Sequence, residues 1–475
     1  MNRRWLWVSA TVAILAALGT LGILALLNNI NTRQAEARET VFRVVDITEE
    51  TYDSSVWGKN FPFQYDTFKR TVDVERTRYG GSENIQKLDK YPHLRVLWEG
   101  FPFAVDFREE RGHYYMLDDQ RKTERVHQFK QPGSCLNCHS SVIEAYRTAA
   151  LQGGLPADKV HTQEAFFLGA KVLSEMPWAE ANKLVKNAIG CIDCHDPKTM
   201  ALRITRPSFF NGIRDLAKSN DPVPHLPSIE RWRAGNRQKE YDPNVDASRQ
   251  EMRSMVCAQC HVEYYFDKPP TRTLIFPWQN GLKVEQQLQY YDQIGWRDWV
   301  HKRSGAEVMK VQHPEFEMWS QGVHARAGVS CADCHMPYQR VGAVKITNHH
   351  ARSPMLNIAQ SCQTCHNVPE AELLSRVEAI QTRTDKLQEQ AKQAVVDLIQ
   401  AIVAAQTSGA SEEALKKARA LQRSAQFKVD WVFSENSRGF HAPQEAARIL
   451  GESIDEARQG VLEAYKAEIA AKAKQ

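Results

Sequence analysis

All ten cysteines of this chain fall into five copies of one pattern, Cys-x-x-Cys-His, and that limits what it can fold into. The copies are Cys135/Cys138/His139, Cys191/Cys194/His195, Cys257/Cys260/His261, Cys331/Cys334/His335 and Cys362/Cys365/His366. The spacing is the attachment signature of c-type haem: two thiols add to the haem vinyls and the next histidine reaches the iron. A lone Cys-x-x-Cys could serve zinc or thiol exchange. Five copies, each followed by histidine and with no cysteine left over, argue against both. The chain is read as carrying five covalent haems, and its business as redox chemistry.

The 475 residues would by length alone suggest about three domains. Five haems supply an apolar core that peptide need not provide, so that count is discounted. First cysteines of successive motifs lie 56, 66, 74 and 31 residues apart. This irregularity excludes a repeat array. The formal charge of +4 is offset by haem propionates, so no nucleic-acid partner is read from it.

Met1-Asn-Arg-Arg4 precedes 23 uncharged, mostly apolar residues, Trp5 to Leu27. That run is long enough to span a bilayer core of about 30 Å at about 1.5 Å per residue. A cleaved signal has a shorter apolar core, and the cleavage-like Ala35-Glu36-Ala37 lies well past the run. An uncleaved anchor is favoured over a signal peptide. Either way Arg3 and Arg4 stay in the cytoplasm and the body is exported, to the bacterial periplasm. Residues 1–40 are thus read as anchor or signal plus polar tether, 41–366 as the pentahaem region and 367–475 as a long-helix region. In the last, Leu373, Ile380, Leu387 and Ala394 recur every seven residues, interleaved with Val377, Thr384, Ala391 and Leu398. This seam packs either within the chain or against a second copy.

Sixteen histidines less five in motifs leave eleven. A haem held by two imidazoles needs one of these, whereas a catalytic haem leaves that side open. Counting does not decide between an enzyme needing four and a carrier needing five.

The third motif continues as Cys257-Ala-Gln-Cys-His-Val-Glu-Tyr-Tyr-Phe266, and Lys310-Val-Gln-His-Pro-Glu315 follows downstream. With Arg111-Gly-His113 and Gly439-Phe-His-Ala-Pro443, these runs resemble the ammonia-forming cytochrome c nitrite reductases, from about Phe101 to Leu450. The resemblance implies a mainly α multihaem cytochrome c fold, with little β, a haem-packed core and long C-terminal helices. It implies a nitrite pocket of Arg125, Tyr264 and His313 on the open face of the His139 haem. Arg125 offers a permanent forked cation, and His313 and Tyr264 offer protons. Blander readings are a propionate partner for Arg125, packing for Tyr264 and a distal ligand role for His313. The resemblance further implies one calcium ion on Glu263, Tyr264, Lys310 and Gln312, all through oxygen. Distal ligands carry over as His113 for the His261 haem, His349 (rival His350) for His195, His324 for His366 and His441 for His335.

The chain departs from the best-known members in carrying histidine, not lysine, at 139. That changes the axial donor and so the haem's reactivity. The implied activity is six-electron reduction of nitrite to ammonium, with four haems relaying electrons. The electron donor would be a membrane multihaem quinol dehydrogenase or another periplasmic cytochrome. The resemblance also favours a homodimer through the long helices. The alternatives are a pentahaem carrier without substrate and a hydroxylamine-converting multihaem enzyme.

Overall fold

The computed structural model describes residues 3–39, 43–72, 75–81, 83–235, 237–342 and 344–474. Helix makes up 60% of it, and the described strands form three two-stranded antiparallel hairpins. The mainly α expectation holds.

Three helices, Glu370–Thr407, Glu412–Ser434 and Pro443–Lys472, pack on one another as the long-helix region. The first starts after Pro369 with Glu370 and Glu372 in its first turn, where carboxylates suit the helix dipole. Ser411 caps the second by accepting the amide of Ala414. Val377, Thr384, Ala391 and Leu398 are buried within this one chain, whereas Leu373, Ile380 and Leu387 are half-buried. Ala394 is buried as well, so five of the eight seam residues are satisfied intramolecularly. Its apolar core continues into Leu94, Leu97, Trp98 and Phe107, so the long helices and the segment before the first haem motif share one interior.

The N-terminal helix runs Arg3–Glu39, so the polar stretch read as a tether continues the helix instead of leaving it. Arg3–Gln34 has a mean hydropathy window of 2.4 with none of that window buried, which fits a membrane anchor or a signal segment.

The second and fourth haem motifs lie on short helices with side-chain contacts at their N-termini. Asp193 accepts the amide of Gly190, and Asp333 accepts that of Ser330. Arg249–Ala258 leads into the third motif through a reciprocal Ser248–Glu251 capping box. Arg206 ties motifs together from a fully buried position: its guanidinium pairs with Asp193 at 2.7 Å and donates to Asn137 O and Ser140 O. Gln259 of the third motif accepts the amides of Thr205 and Arg206. First, second and third motifs thus share one hydrogen-bonded hub.

Candidate haem and active site

Four histidine pairs face each other at nearly one spacing. Ring centres are 6.3 Å apart for His113–His261, His195–His349 and His324–His366, and 6.4 Å for His335–His441. A ring nitrogen sits about 2.0–2.1 Å from a bound metal and about 1.1–1.2 Å from its own ring centre. Two imidazoles on opposite sides of one iron therefore have centres roughly 6.2–6.6 Å apart. All four spacings fall in that window, and all ten thiols are free of disulfides. The residues fit five haems, four of them between two imidazoles.

The thiols are not equally enclosed. Cys138 is buried and eight others are half-buried, but Cys365 is exposed. Its neighbours Gln363, Thr364, His366 and Asn367 are exposed with it, so no peptide segment covers this end of the fifth motif. The cause is its place in the chain. It falls between the short helix Ile358–Ser361 and Pro369, where the long helix departs, and a connecting turn of this kind runs over the surface. Cys365 and Cys362 keep the attachment spacing, and His366 keeps its facing imidazole, His324. Cys362, Cys365 and His366 would therefore hold a haem at the edge of this chain.

His349 faces His195, whereas His350 lines a separate small cavity with Cys334 and His335. His313 also stands 6.4 Å from His261. Glu315 Oε1 lies 3.9 Å from the Nδ1 of each of these two rings. With a carboxylate between their Nδ1 edges, no iron can stand there, which leaves His113 opposite the other edge of His261. Local backbone explains two of the placements. Gly112 has φ +97°, and a Cβ there would meet Thr71 at 2.8 Å; Gly439 has φ +81°, and a Cβ would meet Thr384 at 2.5 Å. Only glycine turns the chain so, immediately before His113 and two residues before His441.

His139 is different. Beside it opens a cleft whose walls include Arg125, Tyr264, Phe103, Gln120 and Gln312. Arg125 is buried, its guanidinium 4.1 Å from the centre of the Phe103 ring. Tyr264 is buried too, and burial drives its hydroxyl well above the ordinary phenol range, so it stays a donor. His313 is not among the cleft walls; it follows Gln312, which is. Burial pulls its imidazole down to about 4, only partly opposed by Glu315, so the ring is neutral at pH 7.

Sequence reasoning missed Glu110, whose Oε1 lies 3.0 Å from His139 Nδ1. Burial alone would raise its carboxyl, but His139 and then Arg125 and His313 bring it below the ordinary range. Its place three residues before His113 was the only hint in the sequence.

The residues expected to hold calcium lie together beside the cleft, which Tyr264 and Gln312 line. Glu263 Oε2 accepts the amide of Gln312 at 2.6 Å, and Gln312 Nε2 donates to Lys310 O at 3.1 Å. Glu317 Oε1 accepts the amide of Glu263 at 3.0 Å, and Asp298 accepts that of Lys310 at 2.8 Å. Glu263, Glu317 and Asp430 are buried and Asp298 is half-buried, and among the described residues the Lys310 ammonium, 3.1 Å from Asp430, is the cation buried with them. Burial pushes Glu263 well above the carboxylate range, Glu317 up to about 8 and Asp298 up to about 6. Such an excess of buried carboxylate fits a divalent cation. Among the described residues no three Cys, His, Asp or Glu side chains converge as a ligand set, so calcium here would rest on backbone and amide oxygens around Glu263.

Asp430 was not anticipated. It sits mid-helix, bonds Lys310 Nζ and accepts the amide of Val311 at 2.9 Å, so the long helices hold the Lys310–Gln312 segment.

Comparison with known proteins agrees with this architecture. The family model described as Cytochrome c552 matches residues 53–475. A cytochrome c-552 of Parabacteroides distasonis is 33% identical over 473 residues, 97% of this chain and 85% of its own length. One from Maridesulfovibrio salexigens is 33% identical over 454 residues, 92% and 80% of the two chains. Among solved structures, the catalytic subunit of the cytochrome c nitrite reductase of Desulfovibrio desulfuricans, described with two calcium sites, superposes with a TM-score of 0.73. It is 31% identical, and the match covers 89% of this chain and 88% of that one.

Proposed function

The chain belongs to the cytochrome c552 family, and from that premise we propose that it reduces nitrite to ammonium beside His139, with the other four haems supplying electrons. The observation that carries the reading is the contrast among the five motif histidines. Four face a second imidazole at 6.3–6.4 Å, while His139 adjoins a cleft containing a buried arginine and tyrosine. A haem on His139 would supply an open iron position for nitrite nitrogen and one-electron redox capacity.

The chain's own residues do the rest. Nitrite accepts six electrons and eight protons, yielding ammonium and two waters, so the site must bind an anion and deliver protons. Arg125 offers a fixed positive charge, already desolvated, to the nitrite oxygens. Tyr264 donates its hydroxyl hydrogen to an oxygen of the bound anion. His313, neutral at pH 7, passes protons inward from behind Gln312. Calcium on Glu263, Tyr264, Lys310 and Gln312 would hold this wall and add positive potential.

Contacts between motifs support the relay. Cys260 Sγ donates to Asn137 O at 4.0 Å, Ser254 Oγ on the helix leading into the third motif accepts the Cys331 amide at 3.2 Å, and Ser361 Oγ donates to Cys334 O at 2.8 Å. First, third, fourth and fifth motifs thus form one continuous line, with the second joined through Arg206. The body is exported and held at the membrane by the Arg3–Gln34 helix, near a membrane multihaem quinol dehydrogenase as electron donor. A second copy covers the half-buried Leu373, Ile380 and Leu387 in a homodimer.

The test is ammonium formation from nitrite by the holoprotein with a reduced viologen dye. Arg125→Ala and His313→Ala should each lower turnover roughly 100-fold or more, as loss of a charge-stabilising donor does elsewhere. Unchanged turnover in either would remove that residue from the site.

A further inference from the structure

We propose that Glu110 tunes the haem on His139: its carboxylate, placed at Nδ1, gives the proximal imidazole anionic character and so lowers that haem's reduction potential. The inference rests on the reading above that the His139 haem is the open one.

An imidazole that binds iron through Nε2 carries its proton on Nδ1, and the partner of that proton sets how strong a donor the ring is. At His195 the partner is the backbone carbonyl of Met200 at 3.0 Å, and at His335 it is that of Arg352 at 3.1 Å. A carbonyl is a neutral dipole. At His139 the group at Nδ1 is the Glu110 carboxylate, 3.0 Å away. It carries a full negative charge and is the stronger base. At 3.0 Å this charge acts through space, the pair lying outside hydrogen-bond alignment; it raises electron density on the ring and favours the more positive ferric state. Among the described residues Glu435 stands likewise, 2.6 Å from His441 Nδ1, but on a haem that already faces a second imidazole, His335.

The Glu110 loop is built to hold this contact. Next to it, Arg111 is fixed by Asp119, which accepts its backbone amide at 3.0 Å and pairs with its guanidinium at 2.7 Å. Gly112 then turns the chain with φ +97°. Lysine, the residue of the best-known relatives at this position, has a single nitrogen, so a carboxylate there would act only on the iron-bound atom itself. Histidine's second nitrogen makes such adjustment available, and Glu110 is the positioning residue that uses it.

The experiment is a potentiometric titration of the holoprotein, following the high-spin haem by EPR and optical absorption. Glu110→Gln keeps size and polarity but removes the charge. It should raise the high-spin midpoint by at least a tenfold change in the reduction equilibrium, about 59 mV for one electron. The ferrous iron–imidazole stretching band in resonance Raman should move to lower frequency, and Glu110→Asp should restore part of both shifts. An unmoved midpoint and an unmoved band in Glu110→Gln overturn the inference. Should that variant fail to mature, the wild-type band decides. It is expected above that of an imidazole-ligated haem peptide without a carboxylate partner, and equality overturns the proposal. Absence of any high-spin haem would instead overturn the underlying reading of the site.

Discussion

Replacing His349 by alanine removes one of the two imidazoles that face each other 6.3 Å apart across the second haem position. The haem stays attached, because Cys191 and Cys194 are untouched, so the haem count per chain should remain five. Its iron, however, loses a strong-field ligand and becomes high-spin. Four facing pairs and one open position give a wild-type ratio of four low-spin to one high-spin haem. His349→Ala should change this to three to two, doubling the high-spin signal. His350→Ala should leave four to one, because His350 lines a different cavity, beside His335. EPR spin quantitation normalised to a pyridine haemochrome count measures both. The double variant guards against His350 swinging into the vacated place, and it too should read three to two. A four-to-one ratio in His349→Ala together with three to two in His350→Ala would refute the reasoning and transfer the ligand to His350.

Other outcomes follow from the buried charges. Glu317 is pushed up to about 8 by burial, so below that pH the folded, calcium-free protein holds a proton that the unfolded chain releases near about 4.5. Folding stability in chelator should therefore fall as pH rises from about 5 to 8 and then level off, and Glu317→Gln should flatten the curve. Urea unfolding followed by tryptophan fluorescence from pH 5 to 9 tests it, and a flat wild-type profile would contradict it. Asp430→Asn leaves the Lys310 ammonium buried without its counter-charge and should destabilise the fold by about 3 kcal/mol, read from denaturant midpoints. The same variant should weaken calcium retention, measured by titration with a calcium indicator, because Asp430 also holds the Val311 amide. Exchanging residues 1–34 for a cleavable export signal should move the holoprotein from the membrane fraction to the soluble fraction without changing its haem count.

Much of this molecule was legible in its sequence because covalent chemistry and ligand geometry leave few choices. Ten cysteines in five identical patterns fix the haem count. His113, His324, His349 and His441, assigned through short motifs, stand at the spacing that iron requires. The mainly α fold followed, as did the three C-terminal helices. The seam on the first of them was ambiguous because the same spacing packs equally well on another chain. Five of its eight residues, between Val377 and Leu398, are buried against the chain's own helices.

What stayed hidden were contacts between distant segments. Glu110 meets His139 across 29 residues through a loop whose path no periodicity encodes. His313 follows Gln312, yet its Nδ1 lies 3.9 Å from Glu315 and it is not among the cleft walls. The motif pattern is blind to depth as well: Cys365 carries the same signature as Cys138, yet one is exposed and the other buried. Asp430 gave a readable signal that went unused: a carboxylate in the apolar run Phe427-Lys-Val-Asp-Trp-Val-Phe433, where burial demands a cation. That cation is Lys310, 120 positions away.

An open, anion-binding haem at His139 is the feature on which the proposed function stands. EPR and optical spectra of the purified holoprotein, recorded before and after nitrite is added, test it most directly. One high-spin haem in five that shifts on nitrite, with four low-spin haems unmoved, is the predicted result. Five low-spin haems indifferent to nitrite and cyanide would contradict it and leave an electron carrier without a substrate.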